Sequence, residues 1–219
     1  MNTLIVAIDG PSGAGKGTVA RAIAASLGYR HIDTGAMYRA VGWKASADRI
    51  ALDDEPAVAA LAERADVVVE GGVVKIDGHD VTRAIRTPEI DKAAAAVARL
   101  PRVREILVAR QRALGEAGGV VMEGRDIGSV VFPQADVKIY LDASAAERAR
   151  RRATDPLHTG GQAGADAVAA SIAARDQSDS TRTASPLTIA QGAVYIDTTD
   201  LRIDEVVGQV MALVHQRSS

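Results

Sequence analysis

The chain contains no cysteine, and only 3% of its 219 residues are aromatic. Without thiols there is no disulfide scaffold, no thiolate metal site and no thiol nucleophile, a composition compatible with a reducing compartment. So few rings leave no stacking platform for single-stranded nucleic acid. The four histidines (His31, His79, His158 and His215) are scattered, with no pair at metal-ligand spacing. No apolar run approaches the ~20 residues of a membrane span. The opening MNTLIVAIDG has no charged n-region and reads as a strand, not a signal peptide. An excess of charge is missing too: 26 basic against 28 acidic side chains give a formal charge of -2. A dedicated nucleic-acid binder usually carries a strongly basic face instead.

The balance conceals one bias. Of the 26 basic residues 21 are arginine and 5 are lysine, beside 42 alanines. A GC-rich genome enriches both residue types together. Arginine is also the side chain suited to planar, bidentate phosphate recognition. Composition leaves both accounts open.

Along the chain, strand and helix signals alternate, which predicts a parallel α/β sheet. Residues 4–8 form a continuous apolar run, as expected for a strand buried on both faces. Further core strands are expected at 30–33, 120–123, 137–141 and 194–197. Helices are expected at 16–27, 34–50, 88–99, 101–117, 144–153, 165–176 and 203–216. The middle breaks the pattern. Two β-branched runs, 66–70 and 73–77, flank Gly71-Gly72, and Asp77-Gly78 adds a second turn signal. A small antiparallel ribbon follows, an insertion over about 61–86. Residues 154–164 carry flexibility signals, and no linker is long enough to separate independent domains.

Between the first strand and first helix lies Gly10-Pro11-Ser12-Gly13-Ala14-Gly15-Lys16-Gly17-Thr18, spaced GxxxxGK. Glycines let successive backbone N–H groups curl around phosphate oxygens, and the helix N-terminus adds partial positive charge. Lys16 would reach the terminal phosphates, and the hydroxyl of Thr18 could stand in a magnesium shell, through water. Thr18 comes one position later than usual, because Gly17 intervenes; small kinases acting on nucleoside monophosphates show that departure.

Phosphoryl transfer needs positioning and compensation of charge more than covalent chemistry. Ligands of open parallel sheets bind at the carboxyl ends of the strands. Three groups of residues meet that condition: Asp33-Thr34-Gly35 with Tyr38 and Arg39; Glu123-Gly124-Arg125-Asp126; and Arg148, Arg150, Arg151 and Arg152. Arg175, Asp179 and Arg182 add one helix face on which two cations flank a carboxylate. Solvated helix faces and local ion pairs are the alternative for each group taken alone.

The segments GPSGAGKGT, DTGAMYR, RTPEI, LPRVRE, EGRDIGSVVFPQADVKIYLDAS and RDQSDSTR followed by SPL resemble the bacterial cytidylate kinases, from Ile5 nearly to the C-terminus. That resemblance implies transfer of phosphate from ATP to CMP or dCMP with Mg²⁺, in the pyrimidine metabolism of the cytoplasm, by a monomer. It implies a five-stranded parallel-sheet P-loop kinase core with helices on both faces. A nucleoside-monophosphate subdomain with the β insertion and a short lid complete that expected single domain. The core would take about 1–35, 102–150 and 180–219, the subdomain about 36–101 and the lid about 148–176. Residue by residue, Gly10 to Thr18 would bind the ATP phosphates, with Lys16 bridging donor oxygens. Arg39 and Arg125 would hold the CMP phosphate, while Arg104, Asp126, Arg182 and Thr34 would read the cytosine. Arg175 and Asp179 would lie at the ribose, and Arg148, Arg151 and Arg152 would act from the lid. Two departures stand out. Ala95 occupies a position where some members have a serine that bonds the cytosine, and Glu123 replaces a more frequent Asp. Another kinase of the same architecture, or a nucleotide-binding switch, are the competing expectations; a switch has no use for the Arg39/Arg125 pair or the Arg175/Asp179/Arg182 face.

Overall fold

The computed structural model describes residues 3–155 and 165–218. In chain order its elements are β1 (Ile5–Asp9), α1 (Lys16–Leu27), β2 (Arg30–Asp33), α2 (Thr34–Ala47) and α3 (Glu55–Arg64). The middle holds β3 (Val67–Glu70), β4 (Val73–Ile76), β5 (His79–Asp80), α4 (Pro88–Val97) and α5 (Pro101–Gly115). Then follow β6 (Val120–Gly124), a π-helical turn (Ile127–Val131), β7 (Val137–Asp142), α6 (Ala145–Ala153), α7 (Ala165–Thr181), β8 (Val194–Asp197) and α8 (Ile203–Ser218).

Five strands form one parallel sheet in the order β2-β6-β1-β7-β8. β1 lies central, with Asp9 opposite Gly124 on one side and Tyr140 on the other, while Asp33 faces Glu123. The carboxyl ends of these strands therefore share one edge. Alternation along β1 divides its side chains between two layers. Val6 and Ile8 pack with Val19 and Ile23 of α1 and Val210 and Val214 of α8, whereas Ala7 joins Ile32, Met122 and Val108 of α5 on the opposite face.

A second core belongs to the inserted half. Met37 and Val41 of α2 bury against Leu61 of α3, Ile76 of β4, Val97 of α4 and Leu107 of α5. The β3-β4-β5 ribbon is antiparallel, as expected, and closes this core with Val74 and Ile76. Helices α2 and α4 approach closely: a Cβ on Gly42 would stand 3.1 Å from the backbone of Ala93 and Ala94. Part of the Ala93 to Ala96 run is thus a packing requirement, not only a compositional bias.

Three elements differ from the sequence expectation. α3 was not anticipated; the Asp54 side chain caps it by accepting from the Ala57 N–H at 3.1 Å, with proline in its first turn. α2 stops at Ala47, short of Ile50, because Arg49 turns to φ 59° and the Ile50 N–H donates back to the Ala45 carbonyl at 2.8 Å. α7 continues past Asp176 to Thr181, where tertiary ion pairs hold its last turn. Most of the stretch 154–164, where the sequence carries flexibility signals, lies outside the described residues.

Candidate active site

The loop between β1 and α1 has the conformation its glycines allow. Gly10, Gly13 and Gly15 adopt φ of 147°, 80° and 90°. A Cβ on Gly13 would also approach the Arg148 carbonyl oxygen to 2.8 Å, so neither backbone nor space admits a side chain there. Lys16 opens α1, is only 7% exposed, and donates from Nζ to the Pro11 carbonyl at 2.7 Å. Burial first, and then the nearby Arg125 guanidinium, lower its pKa to about 7. An anion placed in the loop would favour the charged amine again. Gly17 faces Glu123, whose Oε1 would be 3.1 Å from a Cβ at that position. Thr18 is exposed on the first turn of α1.

Asp9 ties the loop to the next segment. The N–H groups of Ile127 and Gly128 donate to its two carboxylate oxygens at 2.8 and 2.7 Å. Burial pushes its pKa up to about 6 against those two bonds. The clamp bends the chain directly after Arg125 and Asp126. The π turn there is closed by the Phe132 N–H on the Ile127 carbonyl at 2.7 Å.

Arg125 and Asp126 lead into a chain of alternating charges. Arg125 Nε donates to Asp179 Oδ2 at 2.8 Å, and Asp179 Oδ1 lies 3.7 Å from Arg182 Nη1. Arg182 Nη2 stands 3.9 Å from Asp126 Oδ1, and Asp126 Oδ2 pairs with Arg104 Nη2. Burial works against the charge of Asp179, yet Arg125, Arg175 and Arg182 outweigh it and keep its pKa below the usual range. Arg104 also lies over the Tyr38 ring, 5.5 Å from its centre. Together with Thr34 and Arg175 these residues line one cleft, whose wall from α4 is Ala94, Ala95 and Ala98. The cleft retains about 40 Å³ of free space. Several polar atoms inside are buried without a hydrogen-bond partner among the described residues: Tyr38 Oη, Arg104 Nε, Arg175 Nε and Arg182 Nη2. Such atoms are unfavourable unless something bonds them.

Thr34 and Arg39 keep closer company than expected. The Thr34 hydroxyl donates to the Glu123 carbonyl at 2.7 Å, and Thr34 lines the cleft. Arg39 Nη2 donates to Asp33 Oδ2 at 2.7 Å, and the Ala36 N–H donates to Oδ1 of the same carboxylate. Arg86 is near enough for Asp33 and Arg39 to act on its charge, and burial lowers its pKa. Arg86 opens the RTPEI motif, yet no strand end or charge cluster in the sequence marks it as a neighbour of Asp33.

The four arginines of α6 diverge instead of forming one face. Arg148 donates to the Ser12 carbonyl at 3.2 Å and pairs with Asp176, whose other oxygen accepts from the Ser12 N–H at 3.4 Å. Arg151 donates to the Thr198 carbonyl at 2.6 Å and to Glu147 at 2.7 Å, beside Gly15 of the loop. Arg152 instead pairs with Asp91 across the cleft, and the 66% exposed Arg150 only with Glu147. Asp9, Asp91 and Asp176 were not singled out by sequence, since a lone Asp carries no local signal. His31 is engaged too, its Nε2 2.9 Å from Glu123 Oε1.

A wider groove of about 710 Å³ opens at the amino edge of the sheet, among Asp136, Lys138, Gln191 and Arg217. It lacks the convergent arginines and the phosphate loop, so chemistry rather than volume marks the site.

A model of the family described as cytidylate kinase matches residues 6–216. The chain is 48% identical over 220 residues to a cytidylate kinase of Geobacillus sp. (strain WCH70), covering 99% of this chain and 98% of the relative. It is 46% identical over 216 residues to a cytidylate kinase of Caldanaerobacter subterraneus subsp. tengcongensis, covering 99% and 96%. Among solved structures, shikimate kinase from Acinetobacter baumannii in complex with shikimate matches with a TM-score of 0.51 at 14% identity, over 98% of this chain and 94% of that one. At that identity the likeness concerns the fold.

Proposed function

The chain belongs to the cytidylate kinase family and is a nucleotide kinase that phosphorylates CMP; from that premise we propose that the γ-phosphoryl group of ATP passes in line to CMP or dCMP at the carboxyl edge of the sheet. The acceptor phosphate is already an anion at neutral pH, so the reaction needs no strong general base. Charge compensation is the main task. We assign Gly10 to Thr18 to the ATP phosphates, with Lys16 recharging beside them. Arg39 and Arg125 hold the CMP phosphate, and Arg175 with Asp179 holds the ribose. Arg148, Arg151 and Arg152 act on the transferring group.

The observation that carries this reading is the chain Arg104–Asp126–Arg182–Asp179–Arg125, which ends beside Lys16. Arginine donors suit the carbonyl and ring nitrogen of cytosine, and a carboxylate suits its exocyclic amine. Thr34 lines the same wall.

Among the described residues no three acidic or histidine side chains group into a metal cage. That donor set suits Mg²⁺ held by substrate phosphates and water. Thr18 would add its hydroxyl through a water, and the bound ion would offset charge on the donor phosphates. We assign the enzyme, as a monomer, to cytoplasmic pyrimidine nucleotide metabolism.

A coupled ADP-release assay across CMP, dCMP, UMP and AMP tests the proposal. CMP and dCMP are expected to give the highest kcat/KM. A preference for UMP or AMP, or ADP release that ignores the acceptor, would overturn it.

A further inference from the structure

Asp91 stands on the first turn of α4, on the inserted half of the molecule. Its carboxylate is shared between two arginines from the opposite wall of the cleft. Oδ1 accepts from Arg175 Nη1 of α7 at 3.0 Å, and Oδ2 pairs with Arg152 Nη2 of α6. The three side chains are 12%, 17% and 21% exposed, so water screens them little. A second bond, Arg99 Nη1 to Ser178 Oγ at 3.4 Å, joins the turn after α4 to α7. The cleft beneath keeps about 40 Å³, where ligand sites usually offer ~300 Å³ or more.

We propose that Asp91 is a positioning residue that competes with the bound nucleotide for Arg152 and Arg175, and so sets the affinity for CMP. The inference rests on the function proposed above, in which Arg152 acts on the transferring phosphate and Arg175 holds the ribose. Burial first, and then the charge of nearby Arg125, lower the pKa of Arg175. Left without an anion, the arginines would repel one another and spread. With Asp91 present they are gathered when the nucleotide leaves. The nucleotide then takes them by exchange, its phosphate engaging Arg152 with bidentate geometry in its favour and its ribose engaging Arg175. The same exchange eases release of the phosphorylated product. Asp91 thus trades binding strength for turnover.

Calorimetric binding of CMP and steady-state kinetics on Asp91→Asn test this. The dissociation constant and KM for CMP should fall at least about fivefold, on a scale where tenfold is 1.4 kcal/mol. At the same time kcat should not rise. Asp48→Asn, which removes a surface carboxylate paired with Lys44, should leave both constants unchanged. Unchanged or weaker CMP binding in Asp91→Asn, or equal tightening in Asp48→Asn, overturns the proposal.

The chain has no native cysteine, so spin labels at Lys92→Cys and Ala146→Cys report the α4–α6 distance directly. Without nucleotide, Asp91→Asn should lengthen or broaden that distance; an unaltered distribution overturns the proposal. Arg152→Gln, made from the other side of the pair, gives the same test should the Asp91→Asn chain not fold. If the parent chain releases no ADP with CMP, the proposed function fails. If it does so and Asp91→Asn matches it, only the present inference falls.

Discussion

Replacing Lys16 with Met separates stability from catalysis at one atom. The Lys16 amine is buried, bonded to the Pro11 carbonyl, and lowered from 10.5 to about 7. A group whose folded pKa is depressed loses stability as pH falls through that value, and recovers it only above the unfolded pKa. At pH 7 the folded chain therefore bears a cost of about 4 kcal/mol, from 1.36 kcal/mol per pKa unit. Methionine fills similar space without the charge and forgoes one hydrogen bond of about 1 kcal/mol. Lys16→Met should thus be more stable at pH 7 by about 3 kcal/mol, raising Tm by roughly 6–12 °C for a chain of this size. The gain has a pH signature: by pH 10 the buried-amine cost falls below about 1 kcal/mol, so the difference from wild type should largely disappear. Turnover should drop by about 10²–10³-fold or more, the loss expected when a preorganised donor to developing charge is removed. Thermal melts from pH 6 to 10, beside the CMP-dependent ADP-release assay, read both effects. A variant with normal turnover, or a stability gain that does not shrink with pH, would refute the reasoning.

Asp9 makes the reverse linkage: its folded pKa is raised from 3.8 to about 6, so its stabilising contribution is present below 3.8 and lost as pH rises through 6. Relative to Asp9→Asn, the wild-type chain should gain about 2 kcal/mol between pH 7 and pH 4 in denaturant unfolding; a constant difference refutes the assignment. Ala95→Ser puts a hydroxyl on the cleft wall and should improve the CMP-to-UMP ratio of kcat/KM by about 1 kcal/mol, roughly fivefold; an unchanged ratio counts against cytosine lying there. Gly42→Val would force α2 from the Ala93–Ala94 backbone, with an expected loss of about 1–3 kcal/mol in thermal melts and a raised KM for CMP.

Reading residues in order sufficed for the α/β alternation, the inserted ribbon and the phosphate loop. These rest on local signals: apolar runs, Gly-Gly and Asp-Gly turns, and a glycine–lysine spacing whose backbone consequence is nearly obligatory. The boundary errors were local as well. Arg49 is no usual residue at positive φ, and the Asp54–Glu55–Pro56 start of α3 sits before a weak apolar face. The cleft-lining residues that fall inside motifs were legible in the same way, from Arg125 and Asp126 to Asp179 and Arg182.

What sequence order did not contain was pairing. Four arginines on α6 predict mutual repulsion, yet the fold spreads them over three carboxylates: Arg150 and Arg151 share the neighbouring Glu147, while Arg152 and Arg148 reach the distant Asp91 and Asp176. Lys16 is a phosphate-loop lysine by spacing alone, but its lowered pKa arises because folding buries it beside Arg125. Composition and motif together determined that this chain holds a phosphate loop, surplus arginine and no thiol chemistry. Only the tertiary structure decided which carboxylates hold those arginines, because ion pairs form between groups brought together in space, not along the chain.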